Sequence, residues 1–195
     1  SEETLKVYPF AFALKITYTL KEHDLDVCWE VVNKDSETMY FTIGGHPAFR
    51  VPVREGESQS DYRLAFEGLD TLTYHLIDTS VGTVLADEPH TLSLENGTCS
   101  IAPHMFDKDA LVFDNGQIQK AGILFPDGTP YLTLTSEGFP NFGIWSVPGA
   151  PFVCLEPWMG RCDDCGFEKP LSEKANINVL KPDEEFIKSY QITVH

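Results

Sequence analysis

Tyr8-Pro9-Phe10-Ala11-Phe12-Ala13-Leu14-Lys15-Ile16-Thr17-Tyr18-Thr19-Leu20 carries a large apolar side chain at every second position. A period of two fits an extended chain, whose successive side chains point to opposite faces. It does not fit a helix, whose apolar stripe recurs every three to four residues. The stretch therefore reads as one long strand with a buried face. Beyond the polar turn at 21–24 the alternation resumes at Leu25, Val27, Trp29 and Val31, and beyond 33–37 at Met39, Phe41 and Ile43. Three such segments in succession read as an antiparallel meander.

Working outward, Asn96-Gly97, Asn115-Gly116 and Asp127-Gly128 each separate two apolar runs. These dipeptides favour the positive φ angles that tight turns demand, so each marks a hairpin or a strand boundary. Around them the sequence predicts strands at 62–66, 71–76, 91–94, 111–113, 118–125, 131–135, 143–147, 152–156, 177–180 and 190–194. No window of ten or more residues shows a helical apolar stripe, and at most a helical turn is expected near 104–109. The polar stretch 54–61 reads as an exposed loop. Many short strands with turn signals at close intervals predict an all-β fold, a large antiparallel β-sandwich forming a single domain over 1–195. An apolar strand this near the N-terminus needs partners on both sides, so the sandwich is expected to be incomplete on its N-terminal side.

The 195 residues are 42% hydrophobic and 12% aromatic, enough apolar material for a packed core. Thirty acidic against 14 basic side chains leave a formal charge of -16, which repels phosphate backbones and anionic lipid heads. Nucleic acid and membrane surfaces are therefore not expected partners. Ser1-Glu2-Glu3-Thr4 offers no basic region with an apolar segment behind it, so neither a signal peptide nor a spanning helix is expected. Five cysteines, an odd number in a chain of this size, point to a reducing compartment, hence the cytoplasm. Cys162 and Cys165 have the spacing of half a zinc site or a redox pair. No second Cys/His pair with ligand spacing accompanies them, so they read as loop thiols and no metal is expected.

Two residues could carry proton chemistry. His46 stands in Gly44-Gly45-His46-Pro47, where the glycines permit a sharp turn or a close approach and the proline excludes helical angles before it. Its plain structural alternative is a ring that bonds a nearby carbonyl. Glu156 ends the apolar run Phe152-Val153-Cys154-Leu155, where burial would raise its pKa toward that of a useful general base. Its structural alternative is a buried ion pair with Arg50 or Arg161. Trp145, Trp158, Phe49 and Phe142 could each offer a flat face to a sugar ring, or simply fill core.

Several motifs occur together and in order: Tyr8-Pro9-Phe10 leading into the long strand, Ile43-Gly44-Gly45-His46-Pro47-Ala48-Phe49, Asp109-Ala110-Leu111-Val112-Phe113, Leu155-Glu156-Pro157-Trp158, and Leu171-Ser172-Glu173-Lys174 before Ile177. Over essentially its whole length the chain resembles the aldose 1-epimerase (galactose mutarotase) family, and within it the bacterial LacX-like branch. The resemblance implies a galactose mutarotase-like β-sandwich that interconverts the α and β anomers of a free aldohexose without metal or organic cofactor. It further implies that His46 protonates the ring oxygen, that Glu156 takes the proton of the C1 hydroxyl, and that Asp109 holds sugar hydroxyls, with Asp107 and Asp114 as neighbouring alternatives. Phe49 and Trp158 are expected to bind the sugar beside them. Full-length members of the family also carry an N-terminal stretch with an arginine and a second histidine that grip the sugar. Asn176 stands where the family has a glycine, a local turn change.

Two other functions remain open at this level: a non-catalytic sugar-binding protein on the same fold, and a glycoside hydrolase using Glu156 with Asp109. Scattered basic residues argue against a phosphorylated sugar. The acid and base are expected to lie a pyranose ring apart across an open cleft.

Overall fold

The computed structural model describes residues 2–195; Ser1, where the reading of the N-terminus begins, lies outside the described residues. A six-residue helix, Glu2–Val7, precedes the first strand, with Glu2 and Glu3 in its first turn and Lys6 in its last, the charge order that a helix dipole favours. Everything after it is strand, turn or single 3-10 turn.

Two antiparallel sheets form the body. The larger has seven strands in the order Phe12–Lys21, Asp24–Asn33, Glu185–Val194, Pro130–Thr135, Lys120–Leu124, Arg63–Phe66, Thr98–Ser100. In the second, Leu111–Phe113 pairs with Asn141–Trp145, which pairs with Phe152–Met159. Two short strands, Ile43–Gly44 and Ala48–Arg50, share the far side of Phe152–Met159. One core joins the inner faces. Trp29, Leu64, Ile123, Leu134 and Ile192 from the larger sheet meet Leu111, Phe113, Phe142, Ile144, Val153 and Leu155 from the smaller. Side chains such as Leu64, Ile123 and Leu155 are wholly buried, each worth about 1.5–3 kcal/mol relative to exposure.

Several sequence expectations hold. Asn96, Gly97, Asn115, Gly116 and Gly128 all take positive φ, and Asp127-Gly128 closes the hairpin between Lys120–Leu124 and Pro130–Thr135. Asn176 also takes a positive φ of 55°, so the asparagine keeps the backbone shape for which a glycine would serve. The stretch 104–109 holds turns, and the loop 54–61 ends in a 3-10 turn at Gln59–Asp61.

The meander does not form. Phe12–Lys21 and Asp24–Asn33 are a hairpin, but the next neighbour of Asp24–Asn33 is the C-terminal strand Glu185–Val194. Met39–Phe41 pairs instead with Asn178–Leu180. The reason is non-local: the long C-terminal strand offers nine register pairs to Asp24–Asn33, far more ladder than the three residues Met39–Phe41 could supply.

The first strand corrects the sequence reading in a second way. Phe12, Leu14, Ile16, Tyr18 and Leu20 share one face, and across the hairpin Leu14, Ile16 and Tyr18 stand opposite the core residues Val31, Trp29 and Val27. That face is core-facing by register, yet these five residues are 42–75% exposed. The strand lies at the sheet edge, beyond the reach of the smaller sheet. An apolar hollow of about 400 Å³, lined by Tyr8, Phe12, Leu14, Met39 and Phe41, opens beside it.

Candidate active site

The smaller sheet has an inner face packed on the core and an outer face that carries the candidate residues. Strand alternation sorts Phe152–Met159 between them. Val153 and Leu155 enter the core, while Cys154, Glu156 and Trp158 face outward. On the neighbouring strand Asn141, Gly143 and Trp145 stand opposite Trp158, Glu156 and Cys154, and so lie on the same face.

His46 reaches this face through register. Gly44 pairs with Trp158 and Ala48 with Cys154, so His46 stands directly across from Glu156. The hydrogen bonds on either side, Gly45 N–H to the Pro157 carbonyl at 2.9 Å and Leu155 N–H to the Pro47 carbonyl at 3.3 Å, leave the His46/Glu156 position without bonds of its own. That is the pair type in which opposite side chains come closest. Two residues 110 positions apart are thereby made cross-strand neighbours, with His46 Nδ1 at 2.7 Å from Glu156 Oε1.

The partners differ in setting. The His46 side chain is 62% exposed and lies 5.7 Å from the Trp145 ring, centroid to centroid, while that of Glu156 is 8% exposed. Burial pushes the Glu156 carboxyl above its ordinary 4.5. The hydrogen bond and charge of His46 and the Trp158 indole N–H pull it back in part, and the Asp109 carboxylate adds to the rise. At 2.7 Å the imidazole nitrogen and the carboxylate oxygen are within hydrogen-bond reach of each other.

Glu156 is thus not the arginine-paired carboxylate of the structural alternative. Arg161 is committed to Asp114, at 2.8 Å, and to Asp164, at 2.7 Å, and Arg50 is exposed. The expected gap of one pyranose ring between His46 and Glu156 is also corrected: the two are in contact, because they occupy directly opposed sheet positions.

The three candidate aspartates separate by their partners. Asp107 bonds His104 at 2.8 Å on an exposed turn. Burial alone would raise Asp114, but the bonds and charge of Arg161 more than offset it and hold its carboxyl below the ordinary value. Asp109 lies close enough to raise Glu156. It is half-buried with φ at 73°, a conformation rare for a side-chain-bearing residue, steadied by its own Oδ1 accepting from the Ala110 N–H at 2.7 Å.

Phe49 is corrected as a sugar-binding residue. Its register partner is Val153, and both point into the core, one residue out of phase with the outer face. Phe142, buried at 1%, is core for the same reason. Trp158 does lie on the outer face. Its indole spans two glycines: a methyl group at Gly44 would overlap its five-membered ring, and one at Gly143 its six-membered ring. The role of those glycines as a seat escaped the sequence reading, because it needs two strands placed on either side of a third. Trp145, by contrast, was legible as an aromatic candidate, and only the fold sets it against His46. The thiols of Cys162 and Cys165 are free, and the loop between them is pinned through its aspartates, Asp163 by Lys174 and Asp164 by Arg161.

A hollow of about 530 Å³ lies elsewhere, at the far edge of the larger sheet around Gly68, Asn96 and Lys120. In the His46–Glu156 pair the imidazole reaches solvent while the carboxylate is buried beneath it. Among the described residues no helix is long and apolar enough to cross a bilayer.

Comparison with known proteins agrees with this architecture. A family model described as aldose 1-epimerase matches residues 1–190. Two LacX proteins of Lactococcus lactis subsp. lactis, plasmid and chromosomal, are each 30% identical over 98% of this chain, which spans 65% of their length. A galactose mutarotase related enzyme from Lactobacillus acidophilus superposes with a TM-score of 0.90 at 30% identity, over 100% of this chain and 65% of its own. A galactose mutarotase-like protein from Lactobacillus casei does so with a TM-score of 0.85 at 28% identity, over 100% and 67%.

Proposed function

Given that the chain belongs to the aldose 1-epimerase family, we propose that it interconverts the α and β anomers of a free aldohexose, with His46 as acid and Glu156 as base. The observation that carries this reading is the 2.7 Å contact between an exposed imidazole and a buried carboxyl of raised pKa on the outer face of the smaller sheet. The ring oxygen and the anomeric hydroxyl are both bonded to C1, so the acid and base that serve them can be immediate neighbours. Glu156 takes the hydroxyl proton as C1=O forms, the bond from C1 to the ring oxygen breaks, and His46 protonates that oxygen. Rotation about C1–C2 presents the other aldehyde face, and the same two groups return their protons in reverse. Their contact also lets a proton pass from Glu156 back to His46 directly.

In this reading Asp109, whose charge acts on Glu156, accepts bonds from sugar hydroxyls, and Trp158 holds the Glu156 carboxyl and offers ring area to the sugar. The five free thiols fit a reducing, cytoplasmic setting. The activity of the whole protein, of which relatives have about half as much length again, is part of this proposal.

Polarimetry on freshly dissolved α-D-galactose and α-D-glucose tests it. Glu156→Gln, which keeps shape and hydrogen bonding, should slow mutarotation by about 10²–10⁴-fold with the fold unchanged by circular dichroism. An unchanged rate would overturn the assignment. Retained sugar binding by a wild-type chain that gives no mutarotation would favour a sugar-binding protein instead.

A further inference from the structure

Cys154 has no part in the proton chemistry above, yet it lies on the same face, two residues before Glu156 and opposite Ala48. Among the described residues, donor atoms of His46, Cys154 and Glu156 all lie within 4.8 Å of one another. The cause is register. His46 and Glu156 are directly opposed, and Cys154 is the next residue down on that face.

We propose that His46, Cys154 and Glu156 form a binding site for a zinc-class divalent cation, which excludes sugar by occupying the groups assigned to proton transfer. One imidazole nitrogen, one carboxylate oxygen and one cysteine sulfur are the donor types that zinc takes; burial and Glu156 keep the Cys154 thiol protonated, so binding releases its proton to solvent as the S–Zn bond replaces S–H. Three protein ligands with an open fourth position is its usual arrangement at accessible sites. Calcium and magnesium need shells of six or more oxygens, which this trio does not offer. Zinc bonds of about 2.0–2.3 Å set tetrahedral donors roughly 3–4 Å apart, so the trio needs only a small adjustment. The 2.7 Å His46–Glu156 contact must open slightly, and His46, 62% exposed, is free to move.

Two surroundings favour the cation. Trp158 donates a hydrogen bond to the Glu156 carboxylate, the outer support that ligating carboxylates usually have. Asp109 adds negative charge beside the site, and the whole chain carries -16. Cys154 is wholly buried and forms the floor, so the cation enters from the His46 side.

The site itself does not depend on the epimerase reading; only its consequence for turnover does. Cobalt(II), added to the whole chain, is the probe, since a thiolate ligand gives it a near-ultraviolet charge-transfer band. One equivalent should produce that band and zinc should remove it. Cys154→Ser should abolish it, and Cys162→Ser/Cys165→Ser should leave it intact. His46→Ala, at an exposed ring that the fold does not need, should weaken binding by roughly 10-fold or more. No band, or a band that survives Cys154→Ser and vanishes with the loop cysteines, overturns the proposal. If Cys154→Ser does not fold, an unchanged affinity in His46→Ala overturns it equally. In the epimerase assay zinc should suppress the rate in step with cobalt displacement. A cobalt band in a chain without mutarotase activity would uphold the metal site while the epimerase reading fell.

Discussion

At the scale of single residues, the reactive feature is the inequality between two touching groups. His46 is mostly in water and Glu156 is not, so burial acts on the carboxyl and raises its pKa above 4.5. Catalysis that needs ionised Glu156 should lose rate as pH falls through a value above 4.5, and that acidic limb should be absent from the residual rate of Glu156→Gln. A stability signature accompanies it. A carboxyl raised in the folded state binds its proton more tightly there than when unfolded. Folding stability is therefore lost as pH rises from 4.5 through the raised folded value. Urea titrations at stepped pH should show wild type declining relative to Glu156→Gln across that window; parallel curves would mean that the carboxyl is not held in this buried state. Both ends of the dyad were visible in sequence, Glu156 as a carboxylate ending an apolar run and His46 in its Gly-Gly-His-Pro frame. Their direct contact was not, because it depends on which strand runs beside Phe152–Met159.

At the scale of elements, three strands build the site by lying side by side. Ile43–Gly44 brings a glycine to one flank of Trp158, Asn141–Trp145 brings Gly143 to the other, and the indole lies flat across both. Gly143→Ala should displace that ring, cost about 1–3 kcal/mol of stability by overpacking, and slow mutarotation more than this cost explains, since the indole N–H steadies Glu156. A change in Trp158 fluorescence together with the loss of rate would support it; full activity would show that the indole position does not matter. The same element logic explains why Phe49 was misjudged. One step along a strand reverses the face, and only the register tells which of His46, Ala48 and Phe49 points outward.

At the scale of the whole molecule, the two sheets do not cover each other completely. Ile16 and Trp29 are register partners, yet Ile16 is 44% exposed and Trp29 is 3% exposed, since the smaller sheet stops short of the edge strand. In this 195-residue chain Ile16→Thr should change stability by no more than about 0.5 kcal/mol, whereas Trp29→Ala should cost about 3–5 kcal/mol. Chemical denaturation of the two variants measures the contrast, and equal costs would mean that the edge strand is covered in solution. The alternation of residues 12–20 by itself determined that this segment is a strand with an apolar face, while Tyr8 and Phe10, which continue the same alternation, lie in irregular chain ahead of it; the same period-two signal, with its turn dipeptides, determined the all-β class. Local chemistry suffices for that, because the side-chain period and the φ preferences of asparagine and glycine belong to short stretches of chain. Only the tertiary structure decided that the C-terminal strand, not Met39–Phe41, lies beside Asp24–Asn33, that the first strand stays uncovered, and that His46 meets Glu156 and Cys154. Those outcomes depend on long-range pairing register, which is set by competition among distant strands and is written in no single segment.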